Sequence, residues 1–355
     1  MKRISIDQQV VVVVGCASGI GRETVLQFAQ RGARIVAADI DVDGLHSLVA
    51  EVRQSGGNIH DVHTDVADFS QVQAVANEAV THFGRIDTWI HIAAAGLFAR
   101  FMETTPEEFK RVIEVDLLGQ VYGAKAALPH LIESSGGLIC ISSIEARRAL
   151  PFHSAYSSAK HGIDGFLEAL RVELQHDKIP VTVTQVLPAT INTPFFSKSM
   201  TKIGVQPMAP PPVYSPAVVA RTILHVTEHP VRDIVVGGAG KGLLTMQRIS
   251  PSVLDAALSR VGYKAQQTSQ PKSADAPNAL YGPVGTDNQV EGQFGKFAFS
   301  HSLSTWLDLH PVVKNGAFIG AALGLGALMG RGPGTGSRRV STVPATDQTR
   351  VAGVR

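Results

Sequence analysis

Gln9-Val-Val-Val-Val-Val14-Gly15-Cys-Ala-Ser-Gly19-Ile-Gly21 joins an unbroken apolar run to a turn punctuated by glycine. The β-branched run is too short for an ordinary helix, and being apolar at every position it suits a strand buried on both faces, as in the middle of a parallel sheet. The glycines that follow permit a tight turn and close backbone approach. A helix beginning near Gly19 would point its free N–H groups and positive dipole end back at that turn, where phosphate is favoured. Strand, glycine turn and helix in this order open a dinucleotide-binding βαβ unit, so Gly15, Ser18, Gly19, Ile20 and Gly21 are expected to hold a pyrophosphate.

Outward from this unit the same alternation continues. A second strand, Arg34-Ile-Val-Ala-Ala-Asp39, ends on a carboxylate eighteen residues after Gly21, where a dinucleotide fold places the acceptor for the adenosine ribose. No Arg or Lys lies in Asp39-Ile-Asp-Val-Asp43 to neutralise a 2′-phosphate, so NAD is expected over NADP. The third strand, residues 58–64, leads to Asp65 and Val66, and a fourth precedes His91. Further strands are expected at 137–143, 180–187 and 233–237, with helices at 20–31, 43–55, 68–83, 105–133 and 154–177. Alternation of this kind predicts an α/β fold, a doubly wound parallel seven-stranded sheet with helices on both faces. Ligands of such sheets bind beyond the carboxyl ends of the strands, where Gly15, Asp39, Ala94, Ser143 and Pro188 all fall.

The chemistry is carried by Ser154-Ala-Tyr-Ser-Ser-Ala-Lys160. Four-residue spacing on a helix stacks the Tyr156 phenol beside the Lys160 ammonium, whose charge favours the phenolate. Thirteen residues before Tyr156, Ser143 closes the strand Gly137-Leu-Ile-Cys-Ile-Ser-Ser143 with a hydroxyl. A lone Tyr-x-x-x-Lys is most often a surface pair, but the glycine turn and Ser143 stand with this one.

That order of motifs resembles the short-chain dehydrogenase/reductase family over about residues 7 to 240. The resemblance implies a Rossmann-fold oxidoreductase interconverting an alcohol and a ketone or aldehyde. Tyr156 would be the acid or base, Ser143 would hold the carbonyl oxygen, and Lys160 would lower the Tyr156 pKa and bind the nicotinamide ribose. It further implies cofactor contacts at Asp65, Val66, Ala93, Pro188 and Thr193, and a homodimer or homotetramer formed through helices 105–133 and 154–177. Asp65 has a second reading, as a cap for the helix beginning near Asp68. The chain departs from the family at Val14, usually Thr, and at Ala189, usually Gly. His91-Ile92-Ala93-Ala94 stands for Asn-Asn-Ala-Gly, with His91 able to keep one strand-tying hydrogen bond and Gly96 to restore lost flexibility. Asp116 replaces the fourth catalytic residue, Asn.

Phe195 to Pro216 reads as a variable substrate lid rich in proline, and Phe195, Phe196, Met200, Leu97, Phe98 and Phe152 would line an apolar pocket for a hydrophobic small molecule. Two rival readings follow. The departures at His91, Ile92, Ala94 and Asp116 suit a non-catalytic dinucleotide-binding regulatory or scaffold protein. A reductase for carrier-bound acyl groups would need a basic docking patch, for which Arg147, Arg148 and Lys198 are the candidates.

With 355 residues, the chain has room for one such domain, placed at 1–262, and an extension. Hydrophobic residues at 44% supply a large core, and a net charge of +2 gives no reason to invoke nucleic acid. Cys16 and Cys140 fit no disulfide or metal spacing, and the thirteen histidines include no metal pattern, so no metal is expected and a reducing, cytoplasmic setting is. The opening Met1-Lys-Arg-Ile-Ser-Ile-Asp is too polar and short for a secretory signal. Residues 263–300, rich in Gln, Ser, Pro, Gly, Asn and Asp, read as a flexible linker. Beyond it, in the tail 301–355, Gly316, Gly320 and Gly324 line one face of an uncharged run. That run suits a membrane-associated helix with Trp306, Arg331, Arg338 and Arg339 at its borders, or else a dimer-packing tail.

Overall fold

The computed structural model describes residues 4–315. Its first half alternates as the apolar runs require: β1 (Val10–Val14), α1 (Gly19–Gln30), β2 (Arg34–Asp39), α2 (Val42–Gln54), β3 (Asn58–His63), α3 (Phe69–Phe83) and β4 (Thr88–His91). A two-residue strand β5 (Leu97–Phe98) is followed by α4 (Pro106–Ile113), α5 (Gly119–Ser134), β6 (Gly137–Ile141), α6 (Ser154–His176) and β7 (Thr182–Pro188). Short pieces then form the lid: α7 (Phe195–Lys198), β8 (Met200–Thr201), β9 (Val205–Pro207) and β10 (Val213–Tyr214). The chain returns through α8 (Pro216–Glu228) to β11 (Asp233–Val236), then α9 (Gly238–Ile249), α10 (Pro251–Ala257), β12 (Gln267–Pro271), β13 (Ala298–Phe299) and α11 (Leu303–Leu309).

Seven strands pair in the order β11-β7-β6-β4-β1-β2-β3, all parallel. β1 is central because it can be buried on both sides, and all five of its valines are fully buried. Val12 and Val14 pack with Val72 and Val75 of α3, Ala124 and Leu131 of α5, and Ile163 of α6. Val11 and Val13 face the opposite layer, with Val25 and Phe28 of α1, Leu48 of α2 and Val219 of α8. A strand's period of two divides the valines between the layers, and each buried side chain contributes roughly 1.5–3 kcal/mol relative to exposure. After β3 the chain crosses back to the other side of β1, so the crevice opens between the carboxyl ends of β1 and β4.

The structure departs from the sequence reading in two places. The helix expected over 105–133 is interrupted by a π-helical turn at Glu114–Leu118, which holds Asp116. One inserted residue widens the turn without any glycine or proline to mark it. Residues 263–300, expected as a linker, instead belong to a compact unit reaching Leu309. β12 pairs with β9 and β13 with β10, while Leu280 and Phe294 are buried. Polar composition hides these sparse anchors, because hydrogen bonds to the lid replace the missing apolar area. The domain boundary expected at 262 therefore falls inside one unit.

From His310 onward the chain forms a second unit, of which only residues 310–315 are described. No helix among the described residues is long and apolar enough to cross a membrane, and the run from 316 to 330 lies outside them.

Candidate active site

The glycine turn is built so tightly that side chains are excluded. Gly15 has φ +86°, and a Cβ there would lie 2.4 Å from the Ala93 nitrogen; one on Gly21 would lie 2.0 Å from the Gly15 carbonyl oxygen. Ser18 precedes α1 in extended conformation and its hydroxyl makes no capping bond, leaving it turned to ligand chemistry. Asp39 Oδ2 accepts from the Ala17 N–H (2.8 Å) and Oδ1 from the Asp41 N–H (3.0 Å). Burial raises the Asp39 pKa, and those two N–H groups oppose the rise. Asp65 is fixed by Arg111, 3.0 Å away, while Asp68 and not Asp65 caps α3. Val66, Ala93, Pro188 and Thr193 complete the same wall. An N-cap hydroxyl with no capping bond, a side-chain-free turn at a helix N-terminus and a carboxylate at the end of β2 fit a dinucleotide.

Over this half lies a strap from the supposed linker. The Gly19 N–H donates to the Gln289 carbonyl (2.9 Å), the Gly292 N–H to the Asn192 carbonyl (3.2 Å), and the Phe294 N–H to Asn192 Oδ1 (2.9 Å). Asn192 Nδ2 donates to Glu291, whose other oxygen accepts from Ser215 at 2.7 Å. Lys198 of the lid donates to Asn288 at 2.8 Å and stands 3.9 Å from Asp41. The cation missing from the sequence around Asp39 is thus brought in from the lid.

At the other end Ser143, Tyr156 and Lys160 meet. Ser143 ends the β6 segment and its Oγ accepts from the Glu145 N–H at 3.1 Å. The Lys160 ammonium lies 5.1 Å from the Tyr156 ring centre, as one helical turn dictates, and 3.4 Å from Asp116 Oδ2. Asp116 Oδ1 accepts from the Ala95 N–H at 2.7 Å. Burial raises the Asp116 pKa against the pull of Lys160. The Tyr156 pKa is raised rather than lowered by the side chains around it. Burial first, then the charges of Glu145 and Asp116, push the phenol well above its ordinary value, and only the Ser143 hydrogen bond works the other way. Lys160 spends its charge on Asp116.

Other expectations are corrected. His91 ties no strands: it is fully buried and neither ring nitrogen has a hydrogen-bond partner among the described residues. Gln120 of α5 does that work, donating to the carbonyls of Ile141 (2.8 Å) and His91 (3.4 Å) across β6 and β4. Gly96 serves close packing, since a Cβ there would lie 1.9 Å from Ser199 Oγ. Of the apolar pocket residues, Phe195 and Phe196 line the crevice, whereas Leu97 and Phe98 are buried in the cores behind it and Phe152 packs on Tyr263. Arg147 is held by Asp164 and Asp233, Arg148 by Asp255, and Lys198 by the contacts above, so the basic docking patch is neutralised internally. His60 of β3 comes together with Glu78 and His82, one turn apart on α3, but none lines the crevice and the two imidazoles stack face to face at 3.8 Å.

Sequence reasoning missed one crevice feature altogether. Glu145 is buried, its Oε1 2.8 Å from His153 Nδ1 and its Oε2 accepting from Ser157 Oγ at 2.7 Å. The seven residues between Glu145 and His153 cross a loop, so no helical or strand spacing signals the pair.

Comparison with known proteins converges on the same reading. Residues 9–204 match the family model for short chain dehydrogenase. An uncharacterized oxidoreductase of Bacillus subtilis, YxnA, is 33% identical over 79% of this chain and 80% of its own length. The putative oxidoreductase SadH of Mycobacterium tuberculosis is 32% identical over 70% of this chain and 93% of its own. Among solved structures, a short chain dehydrogenase from Mycobacterium paratuberculosis bound to NAD is 26% identical, covers 66% of this chain and 97% of its own, and superposes with a TM-score of 0.59. A short chain dehydrogenase/reductase from Burkholderia phymatum in complex with NAD, 21% identical, shares the fold over 70% of this chain and 96% of its own, with a TM-score of 0.63.

Proposed function

The chain belongs to the short-chain dehydrogenase family of dinucleotide-dependent oxidoreductases, and we propose that it interconverts a hydrophobic secondary alcohol and its ketone, or a primary alcohol and its aldehyde, with Tyr156 as acid and base. The observation that carries this reading is Lys160 beneath the Tyr156 phenol ring, with Ser143 lining the same crevice as that phenol and the glycine turn. The dinucleotide supplies or accepts the hydride when bound.

In the reductive direction the Ser143 hydroxyl would donate to the substrate oxygen and Tyr156, neutral at ordinary pH, would deliver the proton to it. In oxidation the phenolate takes that proton back, so the reaction quickens as the solution becomes more alkaline. Lys160 positions the ring and would hold ribose hydroxyls, and Asp116 holds Lys160. Replacing Asp116 by Asn removes a negative charge that raises the Tyr156 pKa. The acid limb of kcat/KM for alcohol oxidation is therefore expected to move to lower pH in Asp116→Asn. A limb that stays put would remove Asp116 from the phenol's electrostatics.

We assign the adenosine ribose to Asp39, and with it a preference for NAD. In parallel fluorescence titrations with NADH and NADPH, Asp39→Ala should shift the affinity ratio toward NADPH by about tenfold, near 1.4 kcal/mol. An unchanged ratio would overturn the assignment. Binding of neither cofactor to the unaltered protein would favour the scaffold reading. Val172 of α6 and Ile132 of α5, exposed at 64% and 40%, suit the proposed homodimer or homotetramer. Light scattering should return a dimer or tetramer; a monomer would exclude both.

A further inference from the structure

We propose that His153 is a second recognition point for the substrate, and that the substrate carries a hydroxyl group besides the oxygen that reacts; this rests on the reading of the crevice as an alcohol and ketone site. Glu145 fixes the imidazole from behind. Its carboxylate can only accept, so the 2.8 Å contact places a proton on His153 Nδ1, and in the neutral imidazole the lone pair then sits on Nε2. Ser157 satisfies the second carboxylate oxygen at 2.7 Å, which holds Glu145 in place. The ring is further clamped by Phe98, edge-on at 4.4 Å between centres.

His153 is 6% exposed, and its Nε2 is buried without a hydrogen-bond partner among the described residues. A buried acceptor left unpaired is costly and calls for a partner. This one belongs to a residue that lines the crevice one helical turn before Tyr156, the two ring centres 5.8 Å apart. Around it the wall is apolar, with Ile144, Leu150, Phe195, Phe196 and Pro210. An unpaired acceptor beside these apolar side chains selects a donor. An uncharged hydroxyl within a few bonds of the reacting carbon meets the requirement: it donates to Nε2 while the carbonyl oxygen rests between Ser143 and Tyr156. A carboxylate does not, because it brings only acceptors and a charge that faces Glu145. The substrate class is a hydroxyketone or the corresponding diol on an apolar body.

The test compares acetophenone, 2-hydroxyacetophenone and 2-methoxyacetophenone as substrates for NADH-dependent reduction by the full-length protein and by His153→Phe. The unaltered enzyme should favour the hydroxyketone over both others by about tenfold or more in kcat/KM, chiefly through KM, since a site built to bond a hydroxyl rejects analogues without a donor. In His153→Phe the three values should converge. Equal values in the unaltered enzyme, or a hydroxyl preference that survives in the variant, would overturn the proposal. Nitrogen NMR of the histidine-labelled protein gives an answer independent of turnover and of the variant's folding. His153 Nε2 should be unprotonated in the free protein and shift when 2-hydroxyacetophenone, but not acetophenone, is added. A protonated Nε2, or no selective shift, would overturn the proposal even in an active enzyme. The expected NMR response without reduction of any ketone would instead count against the proposed reaction alone.

Discussion

Tyr156→Phe should lower kcat by about 10³-fold while leaving the NADH dissociation constant within about twofold. General acid–base groups typically contribute 10²–10⁴-fold, and among the described residues the crevice offers no second proton donor placed as Tyr156 is, on the wall shared with Ser143 and with Lys160 under its ring. His153 is close, but its Nδ1 proton is committed to Glu145. Phenylalanine keeps the ring that packs 5.7 Å from Phe195, so the loss would be of chemistry rather than of shape. Steady-state turnover with a panel of apolar ketones and a parallel NADH titration check both halves. Retained turnover would overturn the mechanism, and loss of cofactor binding would show that the phenol serves the site's architecture instead.

A second large effect is expected from His91 on stability in acid. The imidazole is fully buried, and burial first, then the charge of Lys160, lowers its pKa from 6.5 to about 3. Folded, it is neutral through this range, whereas the unfolded chain takes up a proton below pH 6.5. The contribution of His91 is therefore complete well above pH 6.5 and is lost as the pH falls toward 3, by about 2 kcal/mol between pH 6.5 and 4.5 and about 5 kcal/mol over the whole window. Urea unfolding at both pH values measures the loss. His91→Asn, whatever its stability at neutral pH, should lose about 2 kcal/mol less over the same interval. An equal loss in the variant would clear His91 of this role.

The residues of the candidate site that could be read from sequence are those whose roles depend on local spacing. β1 and the glycine turn declare themselves because burial on both faces leaves no polar position and a tight turn tolerates no Cβ. Tyr156 and Lys160 are legible because a helix fixes their separation. Asp39 follows from where β2 ends. What stayed hidden depends on chain segments meeting from afar. The π-helical turn around Asp116 alters hydrogen-bond register without altering composition. Gln120 replaces a strand-tying group that the motif places on β4, and only the folded sheet brings its amide to both carbonyls. Lys198 reaches Asp41 from more than 150 residues away. Glu145 and His153 have no periodic relation at all.

The strap gives the crevice a mechanical property that its motifs alone would not. Gln289 occupies the N–H of Gly19, in the turn built for phosphate, while its near neighbours Asn288, Glu291, Gly292 and Phe294 hold Lys198 and Asn192 at the base of the lid. A dinucleotide seated on that turn as proposed would compete with Gln289 for the same N–H, and its arrival would loosen the thread that also ties down Lys198 and Asn192. Traffic at the phosphate end and freedom at the substrate end would then become one event, governed by a segment drawn from the far end of the domain.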